Sequence, residues 1–236
     1  MMGDRAGGQP VTIWIVNVDT AHVPGSPDRQ DDRAHLALRS RLITASRLLL
    51  SYALVQDGCD HDALEGLWRS GAGKPFLPRG PQFSISHAGT CAAVAISKGG
   101  PIGIDLEVRR MARITDAMTS QLRTALSGLM GDDIGARRAA CAGAAIDVWV
   151  RLEAVVKCLG LTMRDVLAKA ESRVLPVGNM TARSAHLRLS VMDIDIDCQY
   201  VCAVAIRSTA PEPRVYRVDW SDLECRLPTM AGALDC

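Results

Sequence analysis

An α+β fold made of two similar α/β halves, related by a pseudo-twofold axis with the active site in the cleft between them, is predicted by three observations. Ala93-Val94-Ala95-Ile96 recurs as Ala203-Val204-Ala205-Ile206, an offset of 110 residues. Each copy closes the same order of elements, a strand (11–18 and 102–107), a long helix (34–55 and 145–159), then strands ending in this tetrapeptide. The strands show period-two alternation or dense β-branched runs, and the helices carry apolar residues at helical spacing. A cleft between two halves is where a ligand is expected.

The elements follow in order. Residues 1–10 read as a disordered leader. Val11 to Val18 (VTIWIVNV) is a strand, and Thr20 to Arg33 is a loop rich in Pro, Gly, Asp and Arg. Ala34 to Val55 is a helix by its leucine spacing, and Asp57 to Gly73 reads as a short helix between turns. Strands are expected at Phe83–Ser86, Cys91–Ser97 and 102–107, the last after the turn Lys98-Gly99-Gly100-Pro101. Arg109 to Ala144, without Phe, Tyr or Trp, reads as short helices joined by loops. Ala145 to Leu159 is an amphipathic helix stopped by Gly160. A helical turn or two at Met163–Ala170, strands at Leu187–Val191 and Tyr200–Arg207, and a polar tail from Pro211 with one strand-like piece at Val215–Val218 complete the chain. The halves then span 11–100 and 101–210, with 211–236 as the tail.

Composition narrows the function. The 236 residues carry 27 Lys and Arg against 26 Asp and Glu, so no overall field points to nucleic acid or a membrane surface. Only four of the basic residues are Lys. The eight cysteines form no CxxC pair and no zinc-type cluster with His. The first residues hold no long apolar core, and no window approaches a membrane span. These features describe a cytoplasmic protein with reduced, mostly buried cysteines.

Pro101-Ile102-Gly103-Ile104-Asp105-Leu106-Glu107 carries the chemistry. Asp105 and Glu107 share one strand face about 7 Å apart and repel each other unless a cation or a shared proton intervenes. A hard cation such as Mg²⁺ resolves that conflict; a solvated strand face is the plainer alternative. Trp149, Glu153 and Lys157 recur every four residues on one helical ridge, where Glu153 and Lys157 also suit a simple surface pair. Three acids from strand and helix supply oxygen ligands while leaving places for water and phosphate oxygens. Phe83-Ser84-Ile85-Ser86-His87 with Gly89 sets a hydroxyl, an imidazole and backbone N–H groups at a strand end, an anion-binding corner unless His87 is structural. Gly71-Ala72-Gly73-Lys74-Pro75-Phe76 places a lysine in a glycine-punctuated turn that lacks the context of a nucleotide-binding P-loop. Lys74 and His87 suit phosphates.

Gly73-Lys74-Pro75, Phe83-Ser84-Ile85-Ser86-His87, Gly103-Ile104-Asp105-Leu106-Glu107 and Trp149-x-x-x-Glu153-Ala154-x-x-Lys157-x-x-Gly160 occur in this order over residues 73–160. On these motifs the chain resembles the 4'-phosphopantetheinyl transferases, specifically the larger, monomeric subclass associated with peptide and polyketide synthases. The strand at 199–206 also resembles the family's last core strand. The resemblance implies that Asp105, Glu107 and Glu153 hold Mg²⁺ against the pyrophosphate of coenzyme A. It implies that His87 meets the 3'-phosphate, with Lys74 and Ser86 near the nucleotide and its phosphates. Lys157 would neutralise the pyrophosphate and assist the leaving group, and Glu153 would be the base. The implied reaction moves the 4'-phosphopantetheine arm to a serine hydroxyl of an acyl or peptidyl carrier protein and releases 3',5'-ADP.

Three positions depart from the family. The residue before the helix glutamate is usually Lys and here is Leu152; Arg151 lies about 200° around the helix from Glu153. The first long helix often presents an arginine to the 3'-phosphate. Alignment puts Ala45 there, with Arg41 and Arg47 as neighbours, and Arg47 is the candidate ligand. The segment 109–144 lacks the usual aromatic and acidic pattern, although Arg109, Arg110, Arg113 and Arg123 suit an acidic carrier. A degenerate relative that binds coenzyme A or carrier protein without efficient turnover is the alternative, and a plain structural α+β protein is a third reading.

Overall fold

The computed structural model describes residues 11–18, 32–59, 67–71, 73–109, 114–130, 133–171, 189–207 and 212–225. The expected leader and nearly all of the loop at 20–33 lie outside them. In chain order the elements are β1 (Val11–Asn17), α1 (Asp32–Gln56), β2 (Trp68–Arg69), β3 (Pro75–Phe76), β4 (Gln82–Ala88), β5 (Cys91–Ser97) and β6 (Ile102–Val108). There follow α2 (Asp116–Leu129), α3 (Ile134–Ala140), α4 (Ala145–Leu159), α5 (Met163–Glu171), β7 (Leu189–Asp193), β8 (Tyr200–Arg207), β9 (Arg214–Val218) and α6 (Trp220–Glu224). This is a mixed α+β fold. Among the described residues no helix is long and apolar enough to cross a membrane.

One sheet runs β4-β5-β1-β9 and another β6-β8-β7. Alternation of side chains decides how they stack. Ile13 and Ile15 of β1, Ala93 and Ala95 of β5, Ile102, Ile104 and Leu106 of β6, and Cys202 and Val204 of β8 are buried in one apolar layer shared by both sheets. The opposite faces meet helices. Trp14, Val16, Val94 and Ile96 pack on Leu42, Leu49 and Ala53 of α1. Val201, Ala203 and Ala205 pack on Val150, Ala154 and Val155 of α4, beside Leu122 and Leu126 of α2. The layers are therefore helix, sheet, sheet, helix. The two AVAI segments lie in β5 and β8, each between the other two strands of its unit, and β5 pairs antiparallel with β1 as β8 does with β6.

Two regions are only partly as expected. The span 57–73 was expected to hold a short helix. Residues 60–66 and 72 lie outside the described chain, and the described part places Trp68 opposite Phe76 in the β2–β3 pair. Cross-strand aromatic pairing favours the extended form. In the tail the expected strand-like piece is present as β9, and the described residues 212–225 add packing that the sequence did not show. β9 runs parallel to β1, Tyr216 stacks on Trp14 with centroids 4.4 Å apart, and Trp220 and Leu223 are buried in the α1 core. Its polar composition hid two apolar anchors placed by helical spacing.

Candidate active site

The site begins with an unpaired edge. β6 is an outer strand of its sheet, so one side of it offers N–H and C=O groups that no strand among the described residues takes. Side chains take them instead. Ser84 and Ser86, on one face of the neighbouring β4, accept the N–H groups of Ile104 and Leu106 at 3.1 and 3.2 Å. The ammonium groups of Lys74 and Lys157 donate to the carbonyls of Ile102 and Ile104 at 2.8 and 3.2 Å. Two serines and two lysines thus stand where a neighbouring strand would be.

α4 lies unusually close to this strand. A Cβ on Gly103 would fall 2.0 Å from the Ala154 carbonyl oxygen and 2.4 Å from the Cys158 nitrogen. Glycine is required here for backbone approach, and Ala154, Ala203 and Ala205 keep the rest of the contact thin. The helix is fixed at both ends. The Asp147 carboxylate accepts the Ala144 N–H at 2.8 Å, and Gly160, in the left-handed region at φ 69°, closes the last turn with Leu161 donating to the Val156 carbonyl. Gly103, Asp105 and Glu107 alternate onto the helix side of β6. The close approach therefore brings Glu153 and Lys157 over Asp105.

Asp105 is the buried centre, 2% exposed. Its Oδ1 accepts the Lys157 ammonium at 2.6 Å and the Ser86 hydroxyl at 2.9 Å. Its Oδ2 is buried and has no hydrogen-bond partner among the described residues. The Glu153 carboxylate lies 3.9 Å from the Lys157 ammonium. Burial, then the Asp105 charge, pushes Glu153 up to about 7; Lys157 opposes this, while Glu107 and a hydrogen bond that the protonated Glu153 makes to Asp105 add to it. Burial and the same Asp105 charge also raise Glu107. One ammonium therefore faces three acids, and the Asp105 charge disfavours ionisation of the other two.

The residues present suit a cation without forming a cage for it. Among the described residues no three His, Cys, Asp or Glu side chains form a group able to hold a metal ion by themselves. Mg²⁺ rarely needs one, because it keeps several waters and takes one or two carboxylates plus substrate phosphates. The orphaned Oδ2 of Asp105 and the raised carboxyls beside it are the features that fit such an ion.

The anion corner expected from Ser86-His87 is split by the strand. Period-two alternation sends Ser86 toward Asp105 and His87 to the α1 side. There burial, then the charges of Lys157 and Arg39, hold His87 below its ordinary value. Arg39 is thus the α1 arginine whose field is felt at His87, one of several on this helix that the sequence did not single out as a ligand. Finding it required the phase of α1 relative to β4. Arg47 is exposed about 12 Å further along the helix axis. Arg41 pairs with Glu224 at 3.7 Å and lies over the Trp220 ring, while Ala45 is fully buried in the α1 core.

Other expected contacts are committed within the fold. The Lys74 ammonium bonds the Lys157 carbonyl at 2.9 Å as well as Ile102, and burial lowers its pKa. Leu152 is fully buried in the α4 core, and Arg151 grips Asp193 with two bonds of 2.8 and 2.5 Å. Arg123 donates to the Cys141 and Gly143 carbonyls, and Arg109 faces Asp147 at 3.7 Å. Arg110 and Arg113 lie outside the described residues. The expectation of mostly buried thiols holds only in part: Cys91, Cys158 and Cys202 are buried, but Cys198 and Cys225 are exposed. Cys236 lies outside the described residues.

Compared with known proteins, the chain matches no family model and no curated protein.

Proposed function

We propose that the protein is a Mg²⁺-dependent 4'-phosphopantetheinyl transferase acting on an acyl or peptidyl carrier protein in the cytoplasm. The observation that carries this reading is the buried Asp105. One of its oxygens is held by Lys157 and Ser86, and the other is left open beside Glu107 and Glu153. Such a pocket of partly compensated negative charge calls for a cation that arrives with a negatively charged ligand. A pyrophosphate is a ligand of that kind. The fold supplies no warrant for the chemistry; the site supplies it.

In this reading Asp105, Glu107 and Glu153 would hold Mg²⁺ only together with water and phosphate oxygens, since the three carboxyls form no cage by themselves. When bound, the ion neutralises charge on the pyrophosphate oxygens of coenzyme A. Lys157, already on Asp105, meets the phosphate oxygens from the other side and stabilises the leaving group. His87 and Arg39 take the 3'-phosphate, with Arg39 filling the role for which Arg47 was the sequence candidate. The serine hydroxyl of the carrier attacks the phosphorus attached to pantetheine. A new P–O bond forms to that serine, and the pyrophosphate bond to the nucleotide breaks. The bond's electron pair leaves with 3',5'-ADP, and the serine proton passes to Glu153, directly or through a water.

The two sheet-and-helix units are, in the same reading, pseudo-twofold repeats acting as one monomer. Their support is the shared order of strand, helix and two strands, with the final strand between the others in both. The test is the mass of a purified apo carrier protein after incubation with coenzyme A, with and without Mg²⁺. A Mg²⁺-dependent gain of one phosphopantetheine arm is expected. No gain on several unrelated carriers would sink the proposal.

A further inference from the structure

Resting on the transferase reading, we propose that Lys74 is a positioning residue that fixes α4 on β6 and so holds Lys157 against Asp105. A lysine in a glycine turn invites a phosphate role, but its ammonium lies elsewhere. It bridges the Ile102 carbonyl on the open edge of β6, at 2.8 Å, and the Lys157 main-chain carbonyl in the last turn of α4, at 2.9 Å. That second carbonyl belongs to the residue whose side chain reaches the Ile104 carbonyl and Asp105. The two lysines thus occupy successive outward carbonyls of one strand, and the first holds the backbone of the second.

The geometry leaves little slack. Gly103 lies between Ile102 and Ile104, and the helix rests directly on it. A last-turn carbonyl also carries the negative end of the helix dipole, which favours an ammonium there. Without Lys74 two partly buried carbonyl groups lose a charged donor, and the last turn of α4 is freed to lift from the strand. Lys157 would then shift relative to Asp105, and a misplacement of about 1 Å costs on the order of 10²-fold in rate. Lys157 acts most on the charge that develops on the leaving group, so the loss falls mainly on turnover.

The test uses Lys74→Met, which keeps the stem and removes the ammonium, and Lys74→Arg, which restores a charged donor. The chain has only four lysines, so selective ¹⁵N labelling gives at most four side-chain ammonium signals. The Lys157 signal is identified by its loss in Lys157→Arg. The expected result is that this signal shifts or broadens in Lys74→Met and returns in Lys74→Arg. With an apo carrier as acceptor, kcat falls by about tenfold or more while KM for coenzyme A stays within about threefold. An unmoved Lys157 signal overturns the proposal, as does a raised KM for coenzyme A with kcat kept, which marks a direct ligand. Should Lys74→Met not fold, Lys74→Gln, which keeps a neutral donor, is read the same way. If the wild type modifies no carrier, the transferase reading fails by itself, and the Lys157 signal alone then decides the role of Lys74.

Discussion

Gly103 of β6 and Ala154 of α4 are in backbone contact: a Cβ on the glycine would stand 2.0 Å from the alanine's carbonyl oxygen. At this point strand and helix touch without side chains between them, and for that reason acids from both elements meet nearby. Gly103→Ala therefore has to push α4 away from the strand. A loss above about 4 kcal/mol, or failure to fold, is expected in denaturant titration. Gly71→Ala, with nothing near its added Cβ, is the control and should change stability little. Equal stability of the two variants would contradict the close approach.

Asp105→Asn removes the charge but keeps the shape. Mg²⁺-dependent transfer should vanish. The effect on stability is mixed, since Lys157 loses its counter-charge while Glu107 and Glu153 lose a repulsive neighbour. The net loss should stay below the 3–5 kcal/mol typical of breaking a buried pair, at roughly 1–2 kcal/mol. Turnover near that of the wild type would remove Asp105 from the site.

The raised Glu153 fixes a pH trend. Its folded value is about 7 against an ordinary 4.5, so between these values the folded protein binds more protons than the unfolded chain. Stability from this group is fully present below pH 4.5 and is lost as pH rises through 7. In metal-free buffer Tm should fall from pH 5.5 to pH 8, and Glu153→Gln should flatten that slope. Saturating Mg²⁺ should raise Tm most at pH 8, where cation and proton no longer compete. A slope unaffected by Glu153→Gln would assign the trend to other groups.

His87 tests the other side of β4. Its pKa is depressed by burial and by Lys157 and Arg39, so Arg39→Ala should raise it in the free protein. Addition of 3',5'-ADP should raise it in the wild type, because an anion favours the imidazolium. Both shifts are read from ring-proton NMR titrations. If 3',5'-ADP leaves His87 unmoved, the 3'-phosphate lies elsewhere.

Thiol chemistry reports the core. Burial pushes Cys91 and Cys158 up to about 12 and raises Cys202 as well, so these thiols should resist alkylation in native buffer. Cys198 and Cys225 are exposed and should be labelled first, as peptide mapping after brief iodoacetamide treatment would show. Early labelling of Cys158 would mean that α4 separates from β6 readily.

Much of this protein is set by its sequence. Period-two runs gave β1, β5, β6 and β8, and the leucine spacing of 34–55 with the Gly160 stop gave the two long helices, because these signals are local. The spacing of Asp105 with Glu107, and of Glu153 with Lys157, put each pair on one face of its element for the same reason. Tertiary structure alone decided the rest. It set Lys157 on Asp105 and left Asp105 one open oxygen, since that depends on how near a helix can approach a glycine. It separated Ser86 from His87 on opposite faces of β4, let the Arg39 charge reach the imidazole, and drew Lys74 onto the open edge of β6. Unpaired backbone groups and desolvated charges make those choices. They arise only when segments distant in the chain are pressed together, and no local pattern encodes them.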